Sequence, residues 1–177
     1  VKFNDEYTVI GVPNSGVIYG KEYSKNLNLK YSQLIQKNTD ERSFISIDEY
    51  IAKQTCCKKF LFLKDELKDK KVIIIDDTIV KGNVIRHIIN NLKECGVTEI
   101  HVRIPSPPVI DICQLGIPIN DCSKLLMYNK NTEIVCEILG INSLIYLEKD
   151  DLDMIPFNTY KECFGGGIND EIIGFNK

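Results

Sequence analysis

The stretch Val72–Asn83, VIIIDDTIVKGN, constrains the fold more than any other part of this chain. Four consecutive aliphatic residues, Val72–Ile75, read as a strand buried on both faces. Two adjacent carboxylates, Asp76 and Asp77, end it, and a loop runs on to Gly82. Beyond the loop, Val84, Ile85, Ile88, Ile89 and Leu92 recur at helical spacing, predicting a helix over Asn83–Cys95. Gly96 stands where a glycine closes a helix. A fully apolar strand followed at once by an amphipathic helix is the unit of a parallel sheet with helices packed on its faces.

The rest of the chain repeats that alternation. Tyr7–Val12 reads as a buried strand that stops at the turn signal Pro13-Asn14-Ser15-Gly16. Val17–Leu27 reads as a helix weakened by Gly20, and Tyr31–Ile35 as a second short strand. Gln36–Lys59 is polar and mixed, with a short helical pattern at Ile47–Lys53. A long irregular stretch inside a compact domain is expected to be functional or mobile. Thr98–Ile104 is the next strand, stopped by Pro105–Pro108. Helices are expected at Asp121–Tyr128 and Asn131–Leu139, a strand at Ser143–Leu147, and a short helix at Asp150–Met154 before the Gly165-Gly166-Gly167 run. The expected class is α/β, with a central, mostly parallel sheet flanked by helices. Ligands in such folds sit at the carboxyl ends of the strands, where the loops Pro13–Gly16, Asp76–Asn83 and Pro105–Pro108 would meet.

At 177 residues the chain is expected to be one domain, with 148–177 as a C-terminal appendage. Its 22 Lys and Arg against 25 Asp and Glu leave no basic excess for a nucleic-acid backbone. No apolar run is long enough to span a bilayer. Seven cysteines at wide spacing, with no CxxC, read as free thiols in a reducing compartment. The first residue is Val1 and a strand follows almost at once, so a segment of a longer polypeptide is expected.

The chemistry of Val72–Asn83 suits a sugar phosphate. Backbone N–H groups at a helix N-terminus bind phosphate, and Gly82 lets the backbone come close. Paired carboxylates can accept hydrogen bonds from vicinal hydroxyls and hold a hydrated magnesium ion. The same residues also fit an ordinary strand–turn–helix with a capping acid, or the acidic pair of receiver-type α/β domains.

Several further segments resemble the phosphoribosyltransferase domain of the amidophosphoribosyltransferase family, in one order and over nearly the whole chain. They are VIGVPNSG (Val9–Gly16), LIQKNTDERSFI (Leu34–Ile45), KKVIIIDDTIVKGN (Lys70–Asn83), GVTEIHVRIPSPP (Gly96–Pro108), LGINSLIYL (Leu139–Leu147) and ECFGGG (Glu162–Gly167). The resemblance implies a type I phosphoribosyltransferase fold with a flexible lid at about 36–59. It implies displacement of pyrophosphate from C1 of 5-phosphoribosyl-1-pyrophosphate (PRPP) by ammonia, giving 5-phosphoribosylamine in purine synthesis. By position, Asp76 and Asp77 would hold the ribose hydroxyls and organise Mg²⁺. Thr78, Ile79, Val80, Lys81, Gly82 and Asn83 would wrap the 5-phosphate. Asn14, Ser15 and Gly16 would face the pyrophosphate and the metal. Lys37, Asn38 and Arg42 would reach the pyrophosphate from the lid. The family also implies purine nucleotides as feedback ligands, a homo-oligomer and a cytoplasmic location.

The chain departs from that family in places. No N-terminal cysteine nucleophile is present, so a glutaminase domain is expected upstream of Val1 or in a separate chain. Val84 replaces the usual Thr, Lys81 the usual Arg, and Thr39-Asp40-Glu41 brings acids into the lid. Those changes favour a second reading, a regulatory domain that binds PRPP or nucleotide and has lost the transfer step. Cys113 matches one ligand position of the iron–sulfur cluster found in some members. Only Cys163 stands near the C-terminal ligand pair, so no cluster is expected. His87 and His101, with no clear carboxylate partner in the sequence, are expected to be structural.

Overall fold

The computed structural model describes residues 2–38, 59–113, 121–156 and 160–165. Five strands form one parallel sheet: β1 (Tyr7–Gly11), β2 (Lys30–Tyr31), β5 (Lys71–Ile75), β6 (Glu99–Ile104) and β7 (Ser143–Tyr146), in the order β2-β1-β5-β6-β7. The register pairs Gly11 with Ile75 and Ile75 with Arg103, so the strands end nearly level.

Alternate residues face opposite sides of the sheet. On one side Ile10, Val72, Ile74, Ile100, Val102 and Leu144 pack with Ile85, Ile88, Ile89 and Leu92 of α3 (Asn83–Glu94) and Val135 and Leu139 of α4 (Thr132–Leu139). The Asn131 side chain accepts from the Ile134 N–H at 3.0 Å, and Gly140 closes α4 at φ 63°. On the other side Tyr7, Val9, Ile73 and Ile75 meet Tyr23, Leu29 and Tyr31, with α1 (Gly16–Asn26) lying over β1. The residues of α1 buried there are Gly16, Gly20 and Ser24. Such small residues let α1 approach closely: a Cβ on Gly16 would lie 2.3 Å from the Ile75 carbonyl oxygen.

The strand order places the site. From β1 the chain crosses through α1 to β2 on one side, and later strands build outward from β5 on the other. The ends of β1 and β5 therefore flank a topological switch point, the crevice where ligands bind in open parallel sheets.

Several expectations need correction. Tyr31–Ile35 is not one strand. β2 stops at Tyr31, and Ile35–Lys37 forms β3, which pairs antiparallel with β4 (Phe60–Phe62) in a separate two-stranded sheet. The ends of the polar 36–59 stretch are thus joined by a ladder, and α2 (Lys64–Leu67) follows it. Asp121–Tyr128 is not a helix. Only a 3-10 turn, Cys122–Lys124, forms there, with Asp121 accepting from the Ser123 N–H and hydroxyl. Leu125, Leu126 and Met127 are all buried, and three consecutive residues cannot share one narrow helix face. His101 does have a carboxylate partner: its Nε2 lies 2.8 Å from Glu99 Oε1, while Nδ1 lies 2.7 Å from Ser143 Oγ. Burial holds the His101 pKa below its ordinary value, so the imidazole serves as a structural link. Asp150–Met154 is 3-10 in character, within Lys149–Met154. The Ile47–Lys53 pattern lies outside the described residues.

Ile74 is fully buried at the centre of the middle strand. Ile74→Ala is expected to cost about 2–5 kcal/mol, read as a lowered midpoint with unchanged slope in urea unfolding.

Candidate active site

The cleft at the β1/β5 switch point has a volume of about 490 Å³. Val12, Pro13 and Ser15 line it from the β1 side, residues 76–85 from the β5 side, and Lys59 and Phe60 from the β3–β4 pair.

The β1 side is fixed by close packing. The Val12 N–H donates to the Ile75 carbonyl at 2.8 Å, so the chain stays tied to β5 past the strand end. A Cβ on Gly11 would lie 2.6 Å from the Gly16 carbonyl oxygen, which holds the two ends of the turn together. The Pro13–Asn14 peptide within it is cis.

On the β5 side the backbone turns out of the strand through two carboxylates. The Asp77 N–H donates to Asp76 Oδ1 at 3.0 Å, and the Thr78 N–H donates to Asp77 Oδ1 at 2.9 Å. Asp76 is only 7% exposed. Burial, chiefly, and then the charge of Asp77 push its pKa from 3.8 to about 7, while the Asp77 N–H and the charge of Lys59 oppose the rise. The loop is held from behind by the Leu126 N–H, which donates to the Val80 carbonyl at 2.9 Å. Gly82 begins α3 at φ 79°, a conformation most side chains avoid, and a Cβ there would press on Leu126 at 3.1 Å. No side chain caps α3, and its first turn carries no acid. The positive end of the helix dipole is therefore left to an anion.

The cleft gathers Ser15, Asp76, Asp77, Thr78, Ile79, Val80, Lys81, Gly82 and Asn83 of the expected site. Asn14 is exposed, Gly16 is buried at the start of α1 against the end of β5, and neither is part of the lining. Lys37 is exposed on β3, paired with Phe60, and Asn38 donates its N–H to the Lys59 carbonyl at 2.9 Å; neither lines the cleft. Arg42 lies outside the described residues. The Pro105–Pro108 loop does not contribute, although it also follows a strand end. Val12, Pro13, Lys59, Phe60, Val84 and Ile85 also line the cleft, and Lys59 is the charged residue among them that the sequence reading did not place there. Its signal was the pair Lys58-Lys59 just before an apolar run, which is β4.

The phosphoribosyl transferase domain family model matches residues 2–105. The chain belongs to that family. It is 37% identical over 142 residues to amidophosphoribosyltransferase of Rattus norvegicus, covering 80% of this chain and 28% of the relative. The Homo sapiens enzyme is 35% identical over 164 residues, covering 89% and 32%. The chain thus spans about a third of the length of the curated relatives it matches. Among solved structures, the glutamine PRPP amidotransferase from B. subtilis, complexed with ADP and GMP, superposes with a TM-score of 0.70 at 28% identity. That match covers 89% of this chain and 35% of that one. A structure described as the allosteric regulatory enzyme of purine biosynthesis gives 0.75 at 26% identity, covering 92% and 37%. These likenesses make the α/β architecture that of the type I phosphoribosyltransferase domains in amidophosphoribosyltransferases.

The raised Asp76 pKa makes stability pH-dependent. The folded phosphoribosyltransferase domain holds this proton up to about pH 7, whereas the unfolded chain loses it near 3.8. Between those values the folded state binds more protons, so stability falls as pH rises and levels off above about 7. The full span is bounded by roughly 4 kcal/mol. Urea titrations from pH 4 to 8.5 are expected to show that decline, and Asp76→Asn to flatten it and raise the midpoint at pH 8.

Proposed function

We propose that this chain is the phosphoribosyl-transfer unit of an amidophosphoribosyltransferase. It would bind PRPP in the switch-point cleft and transfer the phosphoribosyl group to ammonia. The observation that carries the reading is the convergence on one cleft of the acidic pair, the uncapped start of α3, the Pro13–Ser15 turn and Lys59. Each suits a different part of a ribose bearing phosphate at C5 and pyrophosphate at C1.

The 5-phosphate would lie against the backbone of residues 78–83, where N–H groups and the helix dipole favour an anion. Lys81 adds a point charge at the rim. Asp76 and Asp77 would take the vicinal hydroxyls. Lys59, with Lys37 and Arg42 from the 36–59 segment, would meet the pyrophosphate beside Ser15.

Two hard carboxylates fit Mg²⁺, which keeps several waters and takes its remaining oxygens from phosphates. Among the described residues no three His, Cys, Asp or Glu side chains gather, so no closed protein cage competes with that arrangement. When bound, Mg²⁺ would neutralise charge on the leaving pyrophosphate. The residues themselves would act by positioning and electrostatics. The C1–O bond to pyrophosphate breaks, a C1–N bond to ammonia forms, and the surplus proton passes to solvent. Positive charge growing on the ribose ring lies beside the carboxylates, which stabilise it.

The ammonia would come from a glutaminase domain of the kind the family carries, and purine nucleotides would compete for the same phosphate contacts. A homo-oligomeric, cytoplasmic enzyme completes the reading. No described helix is long and apolar enough to cross a membrane.

The test is to incubate the chain with PRPP, Mg²⁺ and ammonium at alkaline pH and follow pyrophosphate. Release that requires ammonium is expected. PRPP binding without release would instead mark a regulatory domain, the reading that Val84, packed on the core with no hydroxyl, favours. Asp77→Asn is expected to lower turnover by tens-fold or more with an unchanged urea midpoint. Unaltered turnover would remove this carboxylate from the mechanism.

A further inference from the structure

β2 ends at Tyr31, opposite Val9 and two residues short of the end of β1, and leaves the Gly11 carbonyl without a backbone partner from that edge. The last backbone bond between the two strands runs from the Ser32 N–H to the Val9 carbonyl at 3.0 Å. The Leu34 N–H, which a continued strand would offer to Gly11, turns back to the Ser32 carbonyl at 3.1 Å. A side chain fills the gap. Gln33 Nε2 donates to the Gly11 carbonyl at 2.9 Å and to the Ile35 carbonyl at 2.6 Å. Its Oε1 accepts from the Tyr31 hydroxyl.

Both amide hydrogens and the amide oxygen are thus engaged, with three different strands. Gly11 is the last residue of β1, before the turn that carries Pro13 and Ser15 into the cleft. Ile35 is the first residue of β3, fully buried, and β3 carries Lys37. β3 in turn holds β4, and the Asn38–Lys59 bond fixes the start of that strand where Lys59 enters the cleft. Tyr31 anchors the whole on α1, its ring 3.1 Å from where a Cβ on Gly20 would stand.

We propose that Gln33 is a positioning residue for the cleft: its side-chain amide splices the β3–β4 pair onto the end of β1, and so holds the Lys37 and Lys59 strands in fixed relation to the Pro13–Ser15 turn. This rests on the PRPP reading above. Without the splice, β3 keeps only the chain and the non-directional apolar packing of Leu34, Ile35 and Phe60 in the main core, and neither sets its spacing from the end of β1. The cations must then be brought to the pyrophosphate by substrate binding, which weakens binding before it slows chemistry.

Two variants separate the hydrogen bonds from the bulk. Gln33→Met keeps the side chain's length and removes all three bonds. Gln33→Glu keeps the shape and turns both donors into acceptors facing two carbonyls, until protonation restores one donor. In the ammonium-dependent assay Gln33→Met is expected to lower kcat/KM for PRPP at least tenfold, chiefly through KM. Gln33→Glu is expected to fall further at pH 8.5 and to recover, relative to wild type, as pH is lowered toward 6. A residue that only stabilised the fold would reduce the active fraction, lowering kcat alone with parallel pH profiles. That result, or unchanged kinetics, overturns the proposal.

The underlying reading fails separately, if the wild-type chain shows no ammonium-dependent release. Calorimetric titration of PRPP with Mg²⁺ then decides the matter. At least tenfold weaker binding by Gln33→Met upholds the positioning role. Equal affinities overturn it, and no heat from the wild type overturns both.

Discussion

The Asp76 carboxyl sits at the end of four aliphatic residues, almost out of reach of water, and the cost of ionising it there governs the rest of the site. A strand that is apolar on both faces can run through the middle of a sheet, and β5 does. The same apolarity leaves its terminal acid in a poor environment for charge. The protein gives that acid one backbone N–H and a lysine beyond the β3–β4 pair, and sets a second carboxylate beside it. These do not cancel the burial. An acid held near pKa 7 is a group that binding of positive charge can ionise cheaply, since the proton it must release is already loose at neutral pH.

The close packing around the cleft follows from the same geometry. β1 and β5 are adjacent, and their connections leave toward opposite faces. The turn after β1 must therefore double back over a strand end already occupied by Asp76. Gly11 and Gly16 are the residues that allow it, since a methyl group on either would meet backbone oxygen. Gly82 does the corresponding work after β5, where the loop must enter α3 with Leu126 pressed against it. Packing density and function coincide here. The backbone can present its N–H groups to a phosphate because no side chain stands between.

Much of this was legible in the residues. β5, the loop and α3 were readable because the apolar run is unbroken and the helix pattern spans more than three turns. The acidic pair and residues 78–83 come together in the cleft because they are contiguous, and one strand end carries them all. What failed to read was set by distant partners. Ile35–Lys37 is too short to declare itself, and its partner Phe60–Phe62 lies beyond the polar stretch. Lys59 could be placed in the cleft only once that pairing was known. Glu99 and His101 are two apart on one strand, so they share a face. Their contact was open to the same period-2 reading that marked the strand itself.

The second sheet changes how Lys37 and Lys59, the described cations at the two ends of the 36–59 stretch, should be understood. A plain loop of that length would explore a wide volume, and its lysines would meet an anion only by chance encounter. Here both ends of the stretch are drawn into one ladder, with Leu34, Ile35 and Phe60 buried beneath it. The ladder is itself tied to the end of β1 through Gln33 and lies beside the acidic pair through Lys59. Positive charge is thereby mounted on a framework continuous with the sheet. That matters for the proposed PRPP site, which would have to reconcile opposite demands: carboxylates to face the ribose, and cations to face phosphate oxygens a few bonds away. Mounted on one flexible element, the two sets would neutralise each other. Placed on separate elements whose spacing the backbone sets, each would be kept for its own part of the proposed ligand.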